Sequence, residues 1–161
     1  MFRSWFRGRL RRAAAKGMRR DLKQFVETLR GLSDVQIGAA VAAAAIVRVA
    51  LRENGVLSDE LLRFTRDPMQ VRTQLSIAQL VRRYQAEERY REATGALIWL
   101  NTLRALSFPE GRSLGREMWR ELRRGQTHAL NLLRETGVSS LSDEAFECAR
   151  VPQDLDAGER R

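Results

Sequence analysis

Few side chains in this sequence are suited to covalent or acid–base chemistry. His128 is the single histidine and Cys148 the single cysteine of the 161 residues. They fall on different predicted elements, so the sequence offers no nucleophile–base pair. His128 reads as a partly exposed polar residue and Cys148 as an incidental thiol. One cysteine excludes an internal disulfide, argues against a thiolate metal site, and fits a reducing compartment. The densest carboxylate run is Glu87, Glu88 and Glu92. Di-metal helical bundles draw a Glu-x-x-His pair from each of two helices, and no such pair exists here. The run reads instead as a solvated face with Arg83/Glu87 and Glu87/Arg91 at i,i+4. The glycines are scattered, and none precedes a Lys-Ser/Thr pair in the manner of a phosphate-binding loop. The expectation is therefore a non-enzymatic protein with no catalytic residue, cofactor, metal or small-molecule substrate.

Cationic side chains carry the remaining chemistry. The net charge is +9, and its distribution is uneven. Residues 1–30 hold ten Lys/Arg against two Asp/Glu, residues 31–137 sixteen against twelve, and residues 138–161 three against six. Lys16 and Lys23 are the only lysines. That skew, with abundant alanine, reads as a GC-rich bacterial genome before it reads as phosphate recognition. In residues 1–14, MFRSWFRGRLRRAA, the residues Phe2, Trp5, Phe6, Leu10 and Ala13 share one helical stripe. Arg3, Arg7 and Arg11 fall on the other side. Aromatic anchors opposite guanidinium groups suit an interfacial helix, with rings at the headgroup boundary and arginines on anionic lipid. Phe2, Arg3, Trp5, Phe6, Arg7, Leu10 and Arg11 are thus the candidate membrane- or partner-binding residues. A second basic face, on the last long helix, makes Arg116, Arg120, Arg123 and Arg124 candidate anion-binding residues, interleaved with Glu117 and Glu121.

The elements that must position these residues are helical. A hydrophobic share of 43% and a charged share of 30% are those of a folded domain, and strand-like alternation is missing. The fold class expected is all-α: a compact four- to five-helix bundle around a central Ala-rich helix. The expected divisions are a basic aromatic amphipathic arm at 1–17, a helical bundle at 18–137 and a flexible acidic tail at 138–161. The central helix is Val35–Leu51, VQIGAAVAAAAIVRVAL, which has no polar side chain from Ile37 through Val47. A helix apolar on every face must be enclosed by helices or by lipid. Its seventeen residues span roughly 25 Å, short of a hydrocarbon core of about 30 Å, so enclosure by helices is the better reading.

Ahead of it, Met18, Leu22, Phe25, Val26, Leu29 and Leu32 form a stripe roughly 150° around the helix from the arm's apolar side. The two stripes meet near Gly17, which is the expected hinge. Ser33 with Gln36 has capping-box spacing, and Asn54-Gly55 is a helix stop. A short helix opens at Ser58-Asp59-Glu60. From Pro68 a helix runs toward Leu106 with its break expected at Thr94-Gly95. After the turn at Ser107–Glu110 a last helix runs to Gly137.

These features point to a helical scaffold or accessory protein. It is expected in the cytoplasm, peripheral to the inner membrane, docked on an anionic surface or on a protein complex. The alternative is a nucleic-acid-associated helical protein that uses its Arg-rich arm. In either case the acidic tail is complementary to the basic head.

Overall fold

The computed structural model describes residues 2–63 and 69–135. Among them every regular element is helical: α1 (Phe2–Arg30), α2 (Asp34–Glu53), α3 (Asp59–Arg63), α4 (Met69–Ala86), α5 (Tyr90–Ser107), a 3-10 turn (Pro109–Gly111), α6 (Arg112–Arg123) and α7 (Gln126–Glu135). The helix start expected at Asp67-Pro68, the Gly137 cap, Cys148 and the tail at 138–161 lie outside the described residues.

Local chemistry sets the ends of α2. The Ser33 hydroxyl accepts from the Gln36 amide, and the Gln36 side chain accepts from the Ser33 amide. This reciprocal pair satisfies two donors that the first turn would otherwise strand. At the other end Gly55 adopts φ 68°. Gly55 N–H donates to Arg52 O at 3.0 Å and Val56 N–H to Leu51 O at 2.8 Å. This is the Schellman pattern, with Val56 following the left-handed residue.

The stretch from Met69 to Ser107 is two antiparallel helices, and the break is not at Thr94-Gly95. It lies at Glu87-Glu88-Arg89, where Glu88 has φ 58°. Glu88 N–H donates to Gln85 O and Arg89 N–H to Tyr84 O, the same Schellman pair without glycine. The Arg89 guanidinium lies 4.6 Å over the Tyr84 ring, in place of the usual apolar contact. Gly95 instead lies inside α5, buried against α2. A β-carbon there would stand 2.7 Å from Ala43 C and Ala44 N, so the missing side chain sets how closely α2 and α5 approach.

The last long helix is likewise two, α6 and α7, separated at Arg124-Gly125. Gly125 lies against Gly38 of α2, where a β-carbon would come within 2.2 Å of the Gly38 nitrogen. Two glycines facing each other let the backbones of α2 and α7 touch.

Two helices carry most of the packing. α2 packs chiefly against α5, α7 and α6, while α5 packs against α2, α4, α6 and the 3-10 turn. Trp99, Leu103 and Leu106 of α5 are fully enclosed. Trp99 donates its indole N–H to Ala44 O at 2.7 Å and meets Trp119 of α6 at 5.7 Å between ring centroids. Trp119 donates to the Thr102 hydroxyl at 3.0 Å, so both buried indoles are satisfied. α1 docks on α6 and the 3-10 turn through Met18, Leu22, Val26 and Leu29.

Candidate functional site

α1 is unbroken through Gly17, and its 29 residues span about 43 Å. Among the described side chains its first buried one is Ala15. Ahead of that point Trp5, Phe6 and Leu10 are 57%, 60% and 55% exposed, and Arg7 and Arg11 are exposed as well. Phe2 and Arg3 fall in the first turn of the same helix. Arg9 lies 4.9 Å over the Trp5 ring, one helical turn away. The predicted arm residues are thus brought onto one straight element whose apolar side has no cover among the described residues.

A second feature was not singled out from sequence. α1 and the α6 side of the molecule enclose an open groove of about 610 Å³. Its α1 wall carries Arg12, Lys16, Arg19, Arg20, Lys23 and Arg30, and its other side carries Glu110, Leu114 and Glu117. Glu27 also lines it. Glu27 and Glu117 are held by Arg30 at 2.9 and 3.1 Å, and Arg20 lies 3.4 Å from Asp21. Among the described residues Arg12, Lys16, Arg19 and Lys23 pair with no carboxylate. Their spacing (12, 16, 19, 23) follows helical periodicity, and that is the signal by which the sequence could have shown them.

The four α6-side arginines expected to bind anions are not alike. Arg116 is half-buried, and Arg120 and Arg123 are exposed. Arg124 is engaged within the fold: it bonds Glu121 at 2.8 Å, Asp34 at 3.0 Å and Leu32 O at 2.8 Å, and reaches Leu29 O at 3.5 Å. It caps the last carbonyls of α1 and sits beside the first turn of α2. The hydrogen bonds it donates to Glu121 and then to Asp34 raise its pKa above the ordinary guanidinium value.

The other candidates for chemistry are dispersed. His128 is exposed on α7, with its β-carbon side against Gly38. Glu87 pairs with Arg83 at 3.6 Å and Arg89 at 3.5 Å, and Glu92 with Arg89 at 3.3 Å. Among the described residues no group of three His, Cys, Asp or Glu side chains is placed to hold a metal.

One buried charge was also missed. Arg48, on α2, is 0% exposed and pairs through Nη2 with Asp59, which is itself 66% exposed. Its guanidinium lies 5.3 Å from the Trp99 ring centroid, and its Nε and Nη1 have no hydrogen-bond partner among the described residues. α2 is long and apolar enough to cross a membrane, yet 67% of its apolar window is covered by the rest of the molecule. The core helix of a bundle meets the same test of length and composition.

Comparison with protein-family models, with curated proteins and with solved structures finds no match to this chain.

Proposed function

We propose that the protein is a non-enzymatic helical scaffold or accessory protein, held on the anionic cytoplasmic face of a bacterial inner membrane by the front of α1. It presents its bundle to a membrane protein complex. In this reading residues 1–17 are the anchoring arm, residues 18–137 the bundle around the alanine-rich helix, and residues 138–161 an acidic tail. The observation that carries it is the exposure of Trp5, Phe6 and Leu10, ahead of Ala15, the first buried side chain described on α1. Rings at the headgroup boundary, with arginines on the flanks contributing about 1 kcal/mol each near an anionic surface, make a reversible anchor. Flotation with phosphatidylcholine vesicles containing phosphatidylglycerol tests it. Wild-type protein floats, and the Trp5→Glu, Phe6→Glu double variant stays at the bottom of the gradient. Equal flotation of the two refutes the anchor.

The cationic groove favours a second reading, binding to a nucleic-acid backbone. It requires a mobility shift of DNA or RNA at low salt, with affinity falling steeply as salt rises.

A further inference from the structure

The groove on α1 has a defined place relative to the arm. Around the helix, Met18, Leu22, Val26 and Leu29 face α6 and the 3-10 turn. At about 100° per residue, Phe6, Leu10 and Ala13 point to the opposite side. Lys16, Arg20 and Lys23 lie further along the same helix and about a quarter turn round, on the flank between that outer side and the bundle. Arg12 and Arg19 flank them toward the bundle. From Arg12 to Lys23 the cations cover about 16 Å of helix.

We infer that α1 lies lengthwise on the bilayer, and that the groove behind the arm is a site for the phosphates of anionic lipid headgroups. This rests on the membrane reading and extends it. The bundle then stands beside α1, with the 3-10 turn and the start of α6 forming the groove's other wall at headgroup level. Charge supports the assignment: six cations line the groove against three carboxylates, two of which Arg30 already holds. The third, Glu110, opposes the ligand from the 3-10 turn. A bilayer accounts for more of the surface than a nucleic acid does. Bases could stack on Trp5 and Phe6, but they would leave Leu10 in water, whereas acyl chains cover all three.

The protein's own composition supplies the test. Lys16 and Lys23 carry its only two lysine amines, and both line the groove. Pulse acetylation read by mass spectrometry therefore reports groove occupancy residue by residue. Phosphatidylcholine vesicles containing phosphatidylglycerol protect both lysines, while phosphatidylcholine alone protects neither. The exposed triple variant Lys16→Gln, Arg20→Gln, Lys23→Gln loses on the order of 100-fold in affinity for the anionic vesicles, and Glu110→Gln gains a few-fold. Wild-type protein that floats while both lysines acetylate freely, or a triple variant that binds like wild type, overturns the groove assignment and leaves the arm standing. Wild-type protein that does not float at all removes the arm and the groove together. Protection of both lysines by a short DNA or by inositol hexakisphosphate, and not by vesicles, overturns the lipid assignment in favour of a soluble polyanion.

Discussion

Replacing Gly125 by alanine tests whether backbone contact between α2 and α7 holds the molecule together. The added β-carbon would stand 2.2 Å from Gly38 N, 2.5 Å from Ile37 C and 2.7 Å from Gly38 Cα. All three are backbone atoms of a helix enclosed on other sides, so the contact is relieved only by moving α7 off α2. Overpacking of a tight core costs about 1–3 kcal/mol, and a backbone clash belongs at the upper end, about 3 kcal/mol. For a chain of this size that lowers Tm by about 6–12 °C. Gly17→Ala is the matched control. Its β-carbon meets nothing within 4 Å, and alanine is favoured over glycine inside a helix by about 1 kcal/mol. It should raise Tm by about 2–4 °C. Urea titrations followed by circular dichroism give both signs at once, with the midpoint shifting and the slope unchanged. Gly125→Ala at or above wild-type stability would show that the two helices are not pinned by this crossing.

Three further outcomes follow from the geometry. Trp5 is exposed while Trp99 and Trp119 are buried, so a fluorescence blue shift on anionic vesicles comes from Trp5 alone. Trp5→Phe should abolish the shift, and a shift that survives places the lipid contact elsewhere. Glu88 occupies a left-handed conformation that costs an L-residue about 1–2 kcal/mol. Glu88→Gly should raise stability by about 0.5–1 kcal/mol after its extra unfolded-state entropy, and a lower urea midpoint would contradict the Schellman geometry. Asp59→Ala removes the partner of a fully enclosed guanidinium and should lower stability by about 2 kcal/mol. Arg48→Met removes the buried charge itself and should keep or raise stability, because Asp59 remains hydrated. Equal losses in the two variants would show that Arg48 is not the buried liability.

The helix ends that glycine and serine punctuate were legible in the sequence: Ser33 with Gln36 opens α2, and Asn54-Gly55 closes it. Glycine was a poor guide elsewhere, because it serves two purposes. Gly95 and Gly125 remove volume where helices touch, and only a structure shows which glycine has a neighbour. The α4–α5 break was hidden for the converse reason, since Glu88 holds a conformation that glycine usually takes. The exposed apolar side of the front of α1 was legible because Trp5, Phe6 and Leu10 recur at helical spacing among arginines. The groove was not, because it needs α6 as its second wall, nearly ninety residues further along the sequence. The partners of Arg124 were hidden for a related reason. On its own helix it is one exposed arginine among several, and its bonds to Leu32 O and Asp34 exist only once three helices meet.

That same long-range docking has a consequence for how the chain is made. α1 rests on α6 and the 3-10 turn, so its apolar seam has no seat until residues 109–123 have been synthesised. At about 5–20 residues per second, the gap from the end of α1 lasts roughly 5–20 s. Through that interval α1 presents apolar surface on both sides, the seam for the future bundle and the exposed Phe6 and Leu10. Under the membrane reading proposed above, a nascent helix of that kind would meet an anionic bilayer before the domain that rides on it exists. Closure of α6 then retires the inner seam and leaves the outer one in place. The order of synthesis thereby leaves the inner seam of α1 uncovered while most of the bundle is still being made.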